Sequence, residues 1–241
     1  MKNVLIEGHR GYCAKYPENT LVSFAAAMEL AVDAIEFDVW LTSDKVPVII
    51  HDGNAYRTAG VDKHVRDMTF AEVKTLDPAY VRKFGDEFVG KTSVPSLEEL
   101  LLLVKEKRPD LRLGVEIKEM TEECVDLTVA LLKKHGYFDT CWFYAFNGRI
   151  IRYIKEKHGG RTMGYPDFQM PEFCGYEFYD EIGLGYNIVT SEILDLYMKK
   201  GFPAHMYCAD TPEQVMTCLE RGASLITAND PTALIKIVKG E

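Results

Sequence analysis

Short apolar runs rich in β-branched residues alternate along this chain with segments whose apolar positions recur every three to four residues. The first pattern predicts strands at Val4–Gly8, Ala34–Val39, Arg112–Ile117, Cys141–Ala145, Arg161–Tyr165, Gly185–Val189, Ala204–Cys208 and Ser224–Thr227. The second predicts helices at Leu21–Ala31, Leu97–Lys107, Glu122–His135, Gly148–Lys157, Glu192–Lys200, Pro212–Arg221 and Pro231–Val238. Ser96-Leu97-Glu98-Glu99 and Thr211-Pro212-Glu213-Gln214 read as capping boxes, and Asp230-Pro231 sets an N-cap before a first-turn proline. Eight strands interleaved with helices predict an α/β fold, a (β/α)8 TIM barrel occupying 1–241 as a single domain. A doubly wound open sheet would accept the same alternation, but no Gly-x-Gly-x-x-Gly follows a strand.

One stretch breaks the rhythm. Val46–Ile50 reads as an extra short strand after the second one, and 52–95 is polar and irregular, with a turn at Arg57-Thr58-Ala59-Gly60 and a short helix near Thr69–Leu76. We expect a small insertion over the barrel mouth. The aromatic-rich stretch Asp167–Asp180 is also irregular.

The length of 241 residues suits one barrel, and a hydrophobic share of 47% supports a large core. A formal net charge of -9 argues against nucleic acid as a partner. None of the six cysteines forms a Cys-x-x-Cys pair, which excludes a zinc knuckle or a thioredoxin-like motif. No apolar run approaches membrane-spanning length, and Val4-Leu5-Ile6 is too short for a signal peptide. The expectation is a cytoplasmic protein with free thiols and no stable membrane association.

The candidate chemistry sits at predicted strand ends. His9-Arg10-Gly11 and His51-Asp52 supply two imidazoles able to exchange protons near neutral pH. Glu36 and Asp38, spaced i, i+2, project from one face of a strand. On the inner face of a barrel two such acids repel unless a cation lies between them. Glu116 and Lys118 have the same spacing and read equally as an ion pair or as ligand and anion contact. Arg10 needs an anion or an acid if it is buried. Asn19 and Thr20 suit either a helix cap or the site. Phe146 and Tyr207 are candidates for the pocket wall. The set reads as metal-assisted chemistry on a phosphate ester.

These residues carry a resemblance. His9-Arg10-Gly11, Pro17-Glu18-Asn19-Thr20, Glu36-Phe37-Asp38-Val39, Leu41-Thr42-x-Asp44, Pro47-Val48, His51-Asp52, Pro95-Ser96-Leu97-Glu98-Glu99 and Val115-Glu116-Ile117-Lys118 resemble the glycerophosphodiester phosphodiesterase family. The resemblance implies a TIM barrel with a small insertion after the second strand. It implies metal-dependent hydrolysis of a small-molecule glycerophosphodiester to glycerol phosphate and an alcohol, with Mg or Ca as the divalent cation. Glu36, Asp38 and Glu116 then become metal ligands, His9 and His51 the acid/base pair, and Arg10 and Lys118 phosphate contacts. A lysophospholipase D-like diesterase on the same barrel, or a metal- or phosphate-binding barrel without catalysis, are the rival readings.

Three departures from the family pattern stand out. Tyr207-Cys208-Ala209-Asp210 replaces a Trp-Thr-x-Asn stretch, and Thr227-Ala228-Asn229-Asp230-Pro231 replaces Thr-Asp-x-Pro; both bear on substrate preference. Glu7 occupies a usually apolar position. Strand alternation puts Glu7 on the inner face one layer below His9, and His205 likewise two residues before Tyr207. We expect these two buried polar residues to be partners, directly or through one water, with Arg112, Arg161 or the backbone as the alternative partners of Glu7.

Overall fold

The computed structural model describes residues 4–240. Eight parallel strands close on themselves: β1 (Leu5–Gly8), β2 (Ala34–Leu41), β4 (Arg112–Ile117), β5 (Cys141–Tyr144), β6 (Thr162–Gly164), β7 (Glu181–Gly185), β8 (Ala204–Tyr207) and β9 (Leu225–Ala228), with β9 pairing back onto β1. This is the expected (β/α)8 architecture. A ninth strand, β3 (Pro47–Ile49), lies antiparallel to β2 outside the closed ring.

Strand lengths explain its place. β1 pairs with β2 only at Ala34 and Ile35. The upper half of β2 continues past β1, and β3 covers the edge left open at Val39–Leu41. This hairpin delivers His51 to the end of β2, where Trp40 Nε1 donates to the His51 carbonyl at 3.1 Å and Ile50 N to the Asp38 carbonyl at 3.1 Å.

The helices Leu97–Lys107 and Pro212–Glu220 start in the two predicted capping boxes, and a third box at Thr69/Glu72 opens the one-turn helix Phe70–Val73. Arg57–Gly60, expected as a turn, closes the one-turn helix Tyr56–Ala59 with Gly60 left-handed at φ 72°. The 52–95 segment packs a separate apolar cluster, including Val48, Val65, Met68, Val73 and Leu76, apart from the barrel's own core.

One strand differs from expectation. The sixth barrel strand is Glu181–Gly185, and Tyr186–Val189 is a helical turn. The apolar run Ile188-Val189 suggested a strand, but the inward register falls on Glu181, Gly183 and Gly185, so a charged residue and two glycines concealed it. Below the site the interior is unusually polar. At the foot of β4 and β6 the exposed guanidinium groups of Arg112 and Arg161 lie 5.5 Å and 5.4 Å from the ring of the buried Trp142.

Candidate active site

The carboxylates come together as their spacing predicts. Asp38 on β2 pairs in register with Glu116 on β4, and Glu36 lies opposite Gly114. All three side chains are buried, and one oxygen from each lies within 4.8 Å of the others. Glu36 Oε1 and Asp38 Oδ1 are buried without accepting any hydrogen bond among the described residues. Lys118 Nζ lies 3.3 Å from Asp38 Oδ1 but out of line for a hydrogen bond, and it donates to Glu116 Oε1 at 2.5 Å. Burial, then repulsion from Asp38 and Glu116, pushes Glu36 well above the usual carboxylate range. Burial also raises Glu116, to about 7, against the pull of Lys118. Asp38 is raised by burial but brought down to about 2 by Lys118 and Arg10. Buried oxygens that accept no hydrogen bond, on an all-oxygen donor set, fit a hard divalent cation; Lys118 offsets the charge of Asp38 but leaves Glu36 Oε1 without a partner among the described residues.

The turn after β1 brings Arg10 into the cluster. Its backbone N donates to Glu36 Oε2 at 2.9 Å, its Nε lies 3.3 Å from Asp38 Oδ2, and its Nη1 donates to Glu18 Oε1 at 2.9 Å. The turn needs Gly11 at φ 84°, where a Cβ would meet Ser23 Oγ at 2.5 Å. The two readings of Asn19-Thr20 divide between the residues. Thr20 caps the helix Leu21–Met28, while Asn19, held left-handed at φ 57°, donates from Nδ2 to Asp38 Oδ2 at 2.7 Å.

The two histidines face the carboxylates with different backing. His9 Nδ1 lies 2.7 Å from Asn229 Oδ1, and Asn229 Nδ2 donates to Asp210 Oδ2 at 2.7 Å. Since Asp210 accepts the amide N–H, Asn229 must present its oxygen to His9, which places the ring proton on Nδ1. The lone pair of Nε2 then points inward, 3.9 Å from Glu36 Oε2. Burial and the neighbouring Arg10 lower His9 to about 4, so the ring is neutral. His51 Nδ1 instead meets a carboxylate, Asp52 Oδ1, at 2.6 Å. Burial lowers its pKa too, with Arg10 and Lys118 adding to the shift and Asp38 and Asp52 opposing it.

Both histidines, Glu36, Glu116, Lys118 and Arg10 line one cavity of about 260 Å³. Its wall is aromatic: Phe146 stacks on Tyr165 at 3.6 Å, and Tyr207 meets Tyr165 edge-on at 5.9 Å. The floor is formed by Glu7, Tyr144, His205 and Thr227. Glu7 and His205 are close but not directly bonded. Tyr144 Oη stands between them, donating to Glu7 Oε1 at 3.0 Å and lying 3.4 Å from His205 Nδ1. Thr227 Oγ1 donates to Glu7 Oε2 at 2.7 Å, and His205 pairs with Glu181. The expected direct or water-bridged pairing is therefore not formed: Tyr144 separates the two groups, His205 takes Glu181, and Arg161, offered as an alternative partner of Glu7, pairs with Glu181 as well.

His9, Arg10, Glu36, His51, Glu116, Lys118, Phe146 and Tyr207 all border this cavity; Asp38, Asn19 and Thr20 do not, although Asn19 is hydrogen-bonded to Asp38 and Asp38 belongs to the cluster. The roles of Asn229, Asp210, Glu18 and Arg57 were not read from the sequence. Asn229 and Asp210 had drawn notice only as departures bearing on substrate preference; the signal for their contact with His9 lies in long-range pairing that spacing does not reveal.

Comparison with known proteins agrees with this geometry. Residues 9–233 match the Glycerophosphoryl diester phosphodiesterase family. A glycerophosphodiester phosphodiesterase of Caldanaerobacter subterraneus is 29% identical over 99% of both chains. One of Bacillus subtilis is 32% identical over 98% of this chain and 87% of its own. Among solved structures, an Oleispira antarctica phosphodiesterase in complex with the product sn-glycerol-3-phosphate superposes with a TM-score of 0.83, at 22% identity over 98% of this chain and 97% of that one.

Proposed function

This chain belongs to the glycerophosphoryl diester phosphodiesterase family, and from that premise we propose that it hydrolyses a small-molecule glycerophosphodiester to glycerol phosphate and an alcohol, using a divalent cation and a histidine pair. The observation that carries this reading is the cluster of buried, unpaired carboxylate oxygens of Glu36 and Asp38, flanked by Arg10 and Lys118 and lying between His9 and His51.

Glu36, Asp38 and Glu116 would hold the cation, magnesium or calcium, which when bound would supply Lewis-acid charge for the phosphate. Arg10 and Lys118 orient the phosphate and offset charge as it grows on the oxygens. His9 Nε2, neutral and carrying a lone pair, takes the proton of the attacking hydroxyl, either of water, giving glycerol phosphate directly, or of the neighbouring glycerol carbon, giving a cyclic phosphate that a water molecule then opens to glycerol phosphate. The new P–O bond forms as the ester P–O bond breaks. His51, backed by the Asp52 carboxylate, gives its Nε2 proton to the departing alkoxide. Bound phosphate would offset the charges of Arg10 and Lys118, two of the influences that lower His51, so substrate favours its protonated form. Phe146 and Tyr207 form the wall against which the alcohol group packs. The 52–95 segment acts as an insertion over the mouth of a single-domain barrel. Six free thiols suit a reducing, cytoplasmic setting.

The test is a hydrolysis assay on glycerophosphocholine and glycerophosphoethanolamine, with lysophosphatidylcholine in parallel, in EDTA and with added magnesium or calcium. Release of glycerol phosphate that needs the cation is the expected result. Preference for the lysolipid would move the enzyme to the lysophospholipase D reading, and full activity in EDTA would overturn the metal.

A further inference from the structure

Arg57 lies outside the cavity wall, on the one-turn helix Tyr56–Ala59 of the 52–95 segment. Its guanidinium grips two carboxylates at once. Nη1 and Nη2 donate to Glu18 Oε2 and Oε1 at 2.9 Å and 2.7 Å, and Nε donates to Asp52 Oδ2 at 2.5 Å. Each carboxylate has another commitment. Glu18 Oε1 also accepts from Arg10 Nη1 at 2.9 Å, and Asp52 Oδ1 faces His51 Nδ1 at 2.6 Å. The result is a chain of alternating charge, Arg10–Glu18–Arg57–Asp52–His51, joining the turn after β1 to the end of the β3 hairpin.

Two features separate this chain from an incidental surface ion pair. It is partly shielded, with Glu18 only 9% exposed and Arg57 31%. It is also backed by strained main chain. Arg10 and Tyr80 are held left-handed at φ 51° and 52°, and the Tyr80 ring lies 5.3 Å from the Arg57 guanidinium. Such conformations persist only where the surroundings over-determine them. A planar fork is required, since a lysine ammonium cannot bridge both oxygens of Glu18 while also meeting Asp52.

We propose that Arg57 is a positioning residue that sets both ends of the reaction without touching substrate. By occupying both Glu18 oxygens it limits Glu18 to a single hydrogen bond with Arg10, from Nη1, which leaves the Nη2 side of the Arg10 guanidinium for phosphate. By fixing Asp52 it aims the His51 proton donor. This inference rests on the phosphodiesterase reading above.

The experiment compares wild type, Arg57→Gln, Arg57→Lys, His51→Ala and the Arg57→Gln/His51→Ala double variant on two glycerophosphodiesters. One has an alkyl leaving group, glycerophosphocholine; the other has a p-nitrophenyl group, which departs without a proton. Loss of an outer partner of this kind costs roughly 10–100-fold in activity. Arg57→Gln is expected to raise KM on both substrates, to lose kcat chiefly on the alkyl one, and to add little to the kcat loss of His51→Ala. Arg57→Lys is expected to show the same leaving-group pattern, and it decides the matter if Arg57→Gln does not fold. Equal kcat losses on both substrates, or losses that multiply with His51→Ala, would mean a structural strut only and overturn the proposal. A wild-type protein inactive on both substrates would instead sink the phosphodiesterase reading on which it stands.

Discussion

Two levels of the same barrel interior hold buried carboxylates and treat them in opposite ways. At the mouth, Glu36 Oε1 and Asp38 Oδ1 accept no hydrogen bond among the described residues. Deeper in the barrel every carboxylate oxygen is engaged. Glu7 takes Tyr144 and Thr227, and Glu181 takes Trp142, Arg161 and His205. Burial and charge are alike at both levels; what differs is satisfaction. A paired buried carboxylate is a structural element. An unpaired one, kept in place beside like charges, is held ready for something the polypeptide does not contain.

The sharpest way to break this contrast is at the mouth. Glu36→Gln should abolish turnover, by roughly 10³-fold or more if several kcal/mol of cation-dependent stabilisation are lost. The same variant, measured in EDTA, should melt above the wild type, because glutamine is neutral without the protonation that burial beside Asp38 and Glu116 forces on Glu36. Normal turnover in Glu36→Gln, or a lower melting temperature in EDTA, would place the upper carboxylates among the structural ones. Next come the histidines. His9→Ala and His51→Ala should each lose roughly 10²–10⁴-fold in kcat and keep a wild-type circular dichroism spectrum.

At the lower level the sign reverses. Glu181→Ala leaves His205 and Arg161 without their partner and should destabilise the fold by about 3–5 kcal/mol in urea unfolding. Its kcat at permissive temperature should stay within a few-fold of wild type. A large kcat loss with little loss of stability would make the lower layer part of the chemistry.

The smallest effect is a pH dependence. Burial raises Glu116 from an ordinary 4.5 to about 7. Between those values the folded, cation-free protein keeps a proton that the unfolded chain has released. Its stability should therefore fall as pH rises through that window. Saturating cation should remove the slope. A cation-free stability curve that rises across the same range would contradict the assignment.

The mouth was more legible in the sequence than the floor, for a physical reason. Glu36 with Asp38, and Glu116 with Lys118, are local i, i+2 pairs, and strand alternation alone puts each pair on one face. His205 could be set beside Glu7 by counting layers, but its true partner Glu181 lay just outside a misplaced strand. The Gly183 and Gly185 positions that leave room inside the barrel also erased the hydrophobic alternation that marks a strand. Asn229, Asp210 and Arg57 act across the ring, between segments far apart in sequence, and no local period encodes such contacts. The polar 52–95 segment read correctly as irregular, yet its irregularity hid the arginine that ties it to the site.

That segment has its own small apolar cluster, separate from the barrel's. Asp52 and Arg57 belong to it, and His51 sits where it joins the barrel, whereas His9, Arg10 and the carboxylates stand on the barrel itself. The active site thus straddles two cooperative units of unequal size, and the smaller one opens at lower free energy. Catalytic competence is accordingly an equilibrium of its own. On warming, turnover should therefore be lost at a lower temperature than the amide protection of the barrel strands, which hydrogen exchange measured beside activity would show.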